Sequence, residues 1–206
     1  MTRVITDLEN YTEQVIDSYL CLLPEKRREK ALRYHFYKDR RLCVLSYLLL
    51  VKMCKDISLN IVGLDFCMKS KGKPYLVEFP QLHFNMSHCA KGVACSVSDV
   101  PIGVDIQEQI IVRDTLSRKF FTEKEQAIIA SSKEPIDTMT CLWTVKEAMC
   151  KYTGSGLTEM FSKDKEIDVG MVSSKKVSSK TWTSVYSVKK ETICIAQPGF
   201  VLDMRY

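Results

Sequence analysis

The stretch Val93-Ala-Cys-Ser-Val97, Ser98-Asp-Val-Pro101, Ile102-Gly-Val-Asp-Ile-Gln107 reads as strand, turn, strand. In the second strand Ile102, Val104 and Ile106 face one way. Gly103, Asp105 and Gln107 face the other, because side chains alternate along a strand. Pro101 marks a lobe boundary, dividing the chain into residues 1–101 and 102–206. Upstream, Gly72-Lys-Pro74 marks a turn, followed by short extended pieces at Tyr75 to Glu78 and Leu82 to Met86. Further upstream, Leu42, Leu45, Leu48, Leu49, Val51 and Met53 follow a basic run, which predicts one long helix from about Arg33 to Lys55. Downstream, Thr122-Glu-Lys-Glu125 has the form of a capping box and starts a short helix to about Ala130. After Pro135 a second helix runs from about Ile136 to Lys151 and stops before Gly154 and Gly156. From Asp168 the apolar residues alternate as late strands, closing near Pro198-Gly199. The order is mixed α+β.

Composition bounds the class. The 206 residues are 46% hydrophobic and 27% charged, which fits a soluble globular chain and excludes disorder and collagen-like or mucin-like repeats. Thirty basic against 25 acidic residues give a formal charge of +5, suited to a phosphorylated ligand or an acidic partner. That charge is too sparse for a dedicated nucleic-acid binder, and no binding module's signature occurs. None of the nine cysteines forms a C-x-x-C pair, and Cys43, Cys54, Cys95, Cys141 and Cys150 lie among apolar residues. With a polar opening from Met1 to Asn10 and no apolar run long enough for a membrane span, the expected setting is a reducing cytoplasm without a disulfide framework.

The residues that carry chemistry begin with Asp105. A carboxylate in a strand of Ile, Val and Gly needs a partner, either a salt bridge or a cation. Gln107 would add an oxygen on the same face. Glu147 is the second carboxylate; Trp143, Glu147 and Lys151 at i, i+4 and i+8 share one helix face. Such a Glu-Lys spacing is commonly an exposed pair, but here it lies among Leu142, Val145, Ala148 and Met149. Two carboxylates and an amide oxygen suit Mg²⁺, which keeps several waters and usually also holds phosphate oxygens. In Phe84-Asn-Met-Ser-His88, neighbouring Ser87 and His88 point to opposite faces, so a nucleophile-base pair is disfavoured. Hydroxyl and imidazole donors there, with Lys71 and Lys73 in the nearby turn, suit a phosphate better. No Walker A, dinucleotide fingerprint or zinc spacing occurs.

Taken together, Gly72-Lys-Pro-Tyr75, Phe84-Asn-Met-Ser-His88, Ile102-Gly-Val-Asp-Ile106, Phe120-Phe-Thr-Glu-Lys-Glu125 and Trp143-Thr-Val-Lys-Glu-Ala148 with Lys151 resemble, in order and spacing, the 4′-phosphopantetheinyl transferase superfamily of the two-lobed surfactin-synthetase type. Lys38-Asp-Arg-Arg41 is a further, weaker match, and the coverage runs from about Leu23 to Leu157. The resemblance implies two similar lobes related by a pseudo-twofold, each a small antiparallel sheet packed on a long helix, with the site between them. It implies transfer of the phosphopantetheine arm of coenzyme A to a serine of an apo acyl or peptidyl carrier protein, with release of 3′,5′-ADP. By the same resemblance Asp105 and Glu147 hold Mg²⁺, with Gln107 beside them, and Lys151 contacts the phosphates. Lys73, Ser87 and His88 bind the phosphate end of the nucleotide, and Arg27, Lys30, Arg40 and Arg41 lie near its 3′-phosphate and adenine. Many relatives carry glutamate where this chain has Gln107, which removes one negative charge from the metal site.

Chemistry fits that reading independently. A serine hydroxyl needs a base, for which Glu147 is the candidate, and the pyrophosphate needs its charge neutralised. An acidic carrier should be drawn to a +5 chain, with a rate that falls as salt rises. The competing readings are another coenzyme A-dependent transferase, which would need no Mg²⁺, and a non-catalytic carrier-protein-binding relative. Neither nucleic acid nor membrane is expected as a partner, and two lobes in one chain make a complete site, so a monomer is expected.

Overall fold

Period-two patterning along the strands decides which side chains each sheet hides. The computed structural model describes residues 1–70, 72–111, 119–156, 167–197 and 200–201. In chain order the elements are β1 (Thr2–Ile5), α1 (Glu13–Ser18), α2 (Glu25–Leu32), α3 (Tyr37–Asp56), β2 (Cys67–Met68), β3 (Pro74–Tyr75), β4 (His83–Cys89), β5 (Gly92–Ser98), β6 (Ile102–Glu108), α4 (Glu123–Ser131), α5 (Pro135–Thr153), β7 (Val172–Ser178), β8 (Thr181–Ser187) and β9 (Ile193–Ile195). One sheet has the order β4-β5-β1-β9, a second β6-β8-β7, and β2 pairs with β3. The fold is mixed α+β.

Alternation sorts the first sheet's residues into two layers. Val93, Cys95 and Val97 join the core built on α3, and so does Ile5. Their neighbours Ala94 and Val4 turn the other way, onto Ile102, Val104, Ile106 and Val185 of the second sheet. The outer face of the first sheet carries α3, and α5 packs along β6 and β8. β9 returns to the first sheet and lies parallel to β1, with Thr2 opposite Ile193.

The helix expected from Arg33 begins later, at Tyr37. The basic run folds as a separate helix, α2, with Arg33 as its C-cap. Phe36 is extended and caps α3, so the chain turns between the two helices. The capping box at Thr122 forms in both directions: the Thr122 Oγ accepts from Glu125 N–H, and the Glu125 carboxylate accepts from Thr122 N–H. Gly154, at φ 72°, is the left-handed C-cap of α5. Leu157, Lys71 and Pro198-Gly199 lie outside the described residues. All nine cysteines are free. No helix among the described residues is long and apolar enough to cross a membrane.

One close approach fixes where α5 lies. A Cβ built on Gly103 would stand 2.0 Å from the Ala148 carbonyl oxygen and 2.5 Å from the Tyr152 amide nitrogen. Those two groups are the ends of one i to i+4 helical hydrogen bond, so the α5 backbone lies directly on the strand. Gly103→Ala should therefore lower stability by about 1–3 kcal/mol or more, because the obstructing atoms are backbone and cannot move aside. Urea denaturation measures this, and an unchanged midpoint would contradict it.

Candidate active site

Asp105 projects from β6, and Glu147 and Lys151 project from α5, one helical turn apart. The Gly103 contact holds helix and strand close enough for the two elements to share one site. Lys151 Nζ donates to Asp105 Oδ1 and to Ser87 Oγ, each at 2.7 Å. The Ser87 hydroxyl in turn donates to Asp105 Oδ1 at 2.7 Å. Strand β4 is locked beside β6 by Asn85, whose side-chain oxygen accepts from Val104 N–H at 2.9 Å. Asn85 and Gly103 are structural determinants that the sequence reading passed over. Their signals were a buried amide between Phe84 and Met86, and a glycine in the interior of a strand.

Asp105 is buried, yet its second oxygen, Oδ2, has no hydrogen-bond partner among the described residues. An ionised carboxylate oxygen left bare in the interior is costly, and a cation is one way to satisfy it. Glu147 supplies a second carboxylate within electrostatic reach. Its pKa is raised above the ordinary glutamate range, first by burial and then by the negative charge of Asp105, with Lys151 acting in the opposite sense. Two close carboxylates, one with a bare buried oxygen, match the donor set of Mg²⁺, which binds through one or two carboxylates plus waters and phosphates. Among the described residues no group of three or more His, Cys, Asp and Glu could hold a metal by itself. Gln107 follows on the same face of β6, opposite Trp182 of β8.

The cleft beside these groups has a volume of about 330 Å³. Its walls include Lys73, Met86, Glu147, Cys150 and Lys151. On the other face of β4, His88 stands within reach of three cations. Partial burial first, then Lys151, Arg27 and Lys30, hold its pKa below the ordinary histidine range. The structure thus brings Lys30, Arg27, His88 and Lys151 into one electropositive neighbourhood, a fit for an anion.

Arg27 also makes packing contacts, as do several other basic residues. Arg27 donates to the Cys43 carbonyl at 3.0 Å and lies over the rings of Tyr47 and Phe66. Arg40 pairs with Glu13 and with Asp17 of α1, and Arg41 donates to the Leu8 carbonyl at 2.7 Å. Lys73 donates to the carbonyls of Ile102 and Tyr152, each at 2.9 Å. Burial, and then neighbouring Lys69, bring its pKa down to about 8. Trp143, on the Glu147 face of α5, packs edge-on against Phe120 with ring centres 4.9 Å apart.

The raised pKa of Glu147 has a stability consequence. The folded state binds this proton more tightly than the unfolded chain does. The group's contribution is fully present below the ordinary glutamate range and is lost as pH rises through the raised folded value. In metal-free solution at neutral pH, Glu147→Gln should raise Tm, by about 2–4 °C for each kcal/mol relieved. A thermal melt against pH checks this; a lower Tm for the variant at neutral pH contradicts it.

Known proteins share extended sequence likeness with this chain. A family model described as the 4′-phosphopantetheinyl transferase superfamily matches residues 101–196. One described as 4′-phosphopantetheinyl transferase, N-terminal, matches residues 10–99. The chain is 30% identical to a 4′-phosphopantetheinyl transferase of Bacillus subtilis over 69% of its own length and 65% of that protein's. It is 26% identical to 4′-phosphopantetheinyl transferase Sfp of Bacillus subtilis strain 168, over 99% of this chain and 93% of the relative. It is also 29% identical to the L-aminoadipate-semialdehyde dehydrogenase-phosphopantetheinyl transferase of Saccharomyces cerevisiae, over 78% of this chain and 62% of that protein. With both halves matched by models of one kind, and the full-length likeness to a Bacillus enzyme, the chain belongs to the 4′-phosphopantetheinyl transferase superfamily.

Proposed function

We propose that this chain moves the phosphopantetheine arm of coenzyme A onto a serine of an apo acyl or peptidyl carrier protein, in a Mg²⁺-dependent reaction that releases 3′,5′-ADP. The observation that carries the metal-dependent reading is the bare, buried Oδ2 of Asp105 beside the Glu147 carboxylate. Asp105 and Glu147 would hold the ion, with Gln107 as a neutral neighbour. When bound there, Mg²⁺ would neutralise charge on the pyrophosphate.

The chain's own groups account for the rest. The Glu147 carboxylate takes the proton of the carrier serine as its oxygen attacks the phosphorus of the phosphopantetheine phosphate. The new bond is a phosphodiester to serine, and the bond that breaks is the pyrophosphate linkage to 3′,5′-ADP. Lys151, held 2.7 Å from Asp105, is placed to meet negative charge on the departing phosphate. His88, with Lys30 and Arg27 near it, receives the nucleotide's phosphate end. Ser87 acts chiefly by orienting Asp105, since its hydroxyl is occupied by Asp105 and Lys151. Arg40 and Arg41 serve the nucleotide indirectly, by fixing the start of α3 against α1 and against Leu8 before it. The half before Pro101 supplies a long helix and three antiparallel strands, which β9 of the other half extends in parallel, and the half after it supplies a long helix and the antiparallel β6-β8-β7 sheet; we read them as lobes related by a pseudo-twofold, in a monomer working in the cytoplasm.

Incubation with an apo carrier protein, coenzyme A and Mg²⁺ should add one phosphopantetheine arm to the carrier's intact mass, and EDTA should abolish the gain. A gain that survives EDTA would favour another kind of coenzyme A-dependent transferase. Glu147→Ala should abolish transfer in a folded protein, and near-normal turnover would remove Glu147 from the mechanism. Gln107→Glu should lower the Mg²⁺ concentration needed for half-maximal rate, because it restores a negative charge beside the ion. Weaker activation by Mg²⁺ in that variant would contradict the role given to Gln107.

A further inference from the structure

Lys73 sits in the tight turn between β2 and β3, where Gly72 adopts φ 82° and the Lys69 N–H donates to the Lys73 carbonyl at 2.9 Å. Its side chain leaves the turn and crosses to two distant parts of the chain. Nζ donates to the carbonyl of Ile102, where β6 begins, and to the carbonyl of Tyr152, in the last turn of α5. The ammonium also lies 5.8 Å from the centre of the Tyr152 ring. Gly154 packs beside the lysine stem; a Cβ there would be 3.6 Å from the Lys73 Cβ. The last carbonyls of a helix are its negative end and have no partner within the helix, so a cation bound there is favoured.

We propose that Lys73 is a positioning residue, a clasp that ties the β2–β3 turn to both α5 and β6 and so sets Lys151 and Glu147 against Asp105. Tyr152 follows Lys151 directly, and Ile102 lies three residues before Asp105 on the strand. Fixing these two carbonyls to one ammonium fixes the spacing of the two elements where the cleft opens. The Gly103 contact limits how near α5 comes to β6; the clasp limits how far it moves away. In this arrangement the donors of Lys73 point at backbone carbonyls. The inference departs from the reading in which Lys73 holds the nucleotide's phosphate.

The catalytic test rests on the transferase reading above, so a second readout is independent of it. In Lys73→Met, which keeps the stem and removes the donors, amide hydrogen exchange should speed up at least tenfold across residues 150–156 and stay unchanged in α3. Unchanged exchange at 150–156 would overturn the clasp whatever the protein's activity. For transfer, kcat should fall at least tenfold, and by the same factor with coenzyme A and with 3′-dephospho-coenzyme A, while KM for coenzyme A changes less than threefold. Lys73→Arg should recover most of kcat. If instead Lys73→Met raises KM and selectively erases the preference for coenzyme A over its 3′-dephospho analogue, Lys73 is a ligand contact and the proposal fails. Wild-type protein that transfers to no carrier would count against the transferase reading, and the exchange result would then decide the clasp alone.

Discussion

The seating of α5 on β6 at Gly103 is the constraint on which the site depends. A strand and a helix normally pack about 10 Å apart through their side chains. Here the strand offers no side chain at the crossing, and the helix backbone comes down onto it. Only then can Lys151 reach across to a carboxylate on the strand and a serine on β4 at hydrogen-bond distance. Asn85 extends the same logic sideways. The edge strand β6 would leave Val104 N–H unpaired, and the Asn85 side chain takes the place of a missing strand partner. Backbone packing in the interior is therefore what assembles the polar groups.

The polar groups themselves are incompletely neutralised, and the deficit has a direction. Asp105 Oδ1 is met by an ammonium and a hydroxyl, while Oδ2 has no hydrogen-bond partner among the described residues. Glu147 resists ionisation because it is partly buried and has Asp105 near it. One lysine cannot balance two close carboxylates, so the cluster keeps an excess of negative charge and favours a cation. Around His88 the balance is positive, with Lys151, Arg27 and Lys30 outweighing Asp39. Negative charge and positive charge are thus separated across β4, with Ser87 facing the first and His88 the second.

Much of this was legible in the sequence, and the exceptions share a cause. The capping box at Thr122, the strand-turn-strand around Pro101 and the i, i+4 relation of Glu147 and Lys151 depend on residues close in the chain. Local chemistry decides them, so a sequence displays them. The helix boundary at Tyr37 was misplaced because the basic run is helical too, and only the extended Phe36 separates α2 from α3. Arginines 40 and 41 read as free cations, yet their partners, Glu13, Asp17 and the Leu8 carbonyl, come from a segment about thirty residues earlier. Lys73 is the extreme case, since one of its acceptors is a backbone carbonyl 79 positions away. Backbone acceptors carry no residue identity, so no pattern in the sequence announces them.

The same contacts explain how two halves of the chain keep one cleft in register. On the side away from the cleft, β9 returns to lie parallel with β1, the amino group of Met1 pairs with Glu191, and it donates to the Val97 carbonyl at 2.9 Å. On the cleft side Lys73 joins the β2–β3 turn to β6 and α5. Between these ties the two sheets pack through small and branched residues, Val4 and Ala94 against Val104 and Ile106. An apolar contact of that kind resists separation strongly and sliding weakly, because it is nondirectional. Hydrogen bonds are directional, so it falls to the two polar ties to fix the slide. Register between the sheets is what brings Ser87 of β4 to Asp105 of β6 and to Lys151 of α5. The tolerance of such a site is narrow, because hydrogen bonds of 2.7 Å among Ser87, Asp105 and Lys151 weaken steeply when misaligned. A fold that needs that tolerance has reason to place a tie at each end of the interface instead of relying on the apolar core alone.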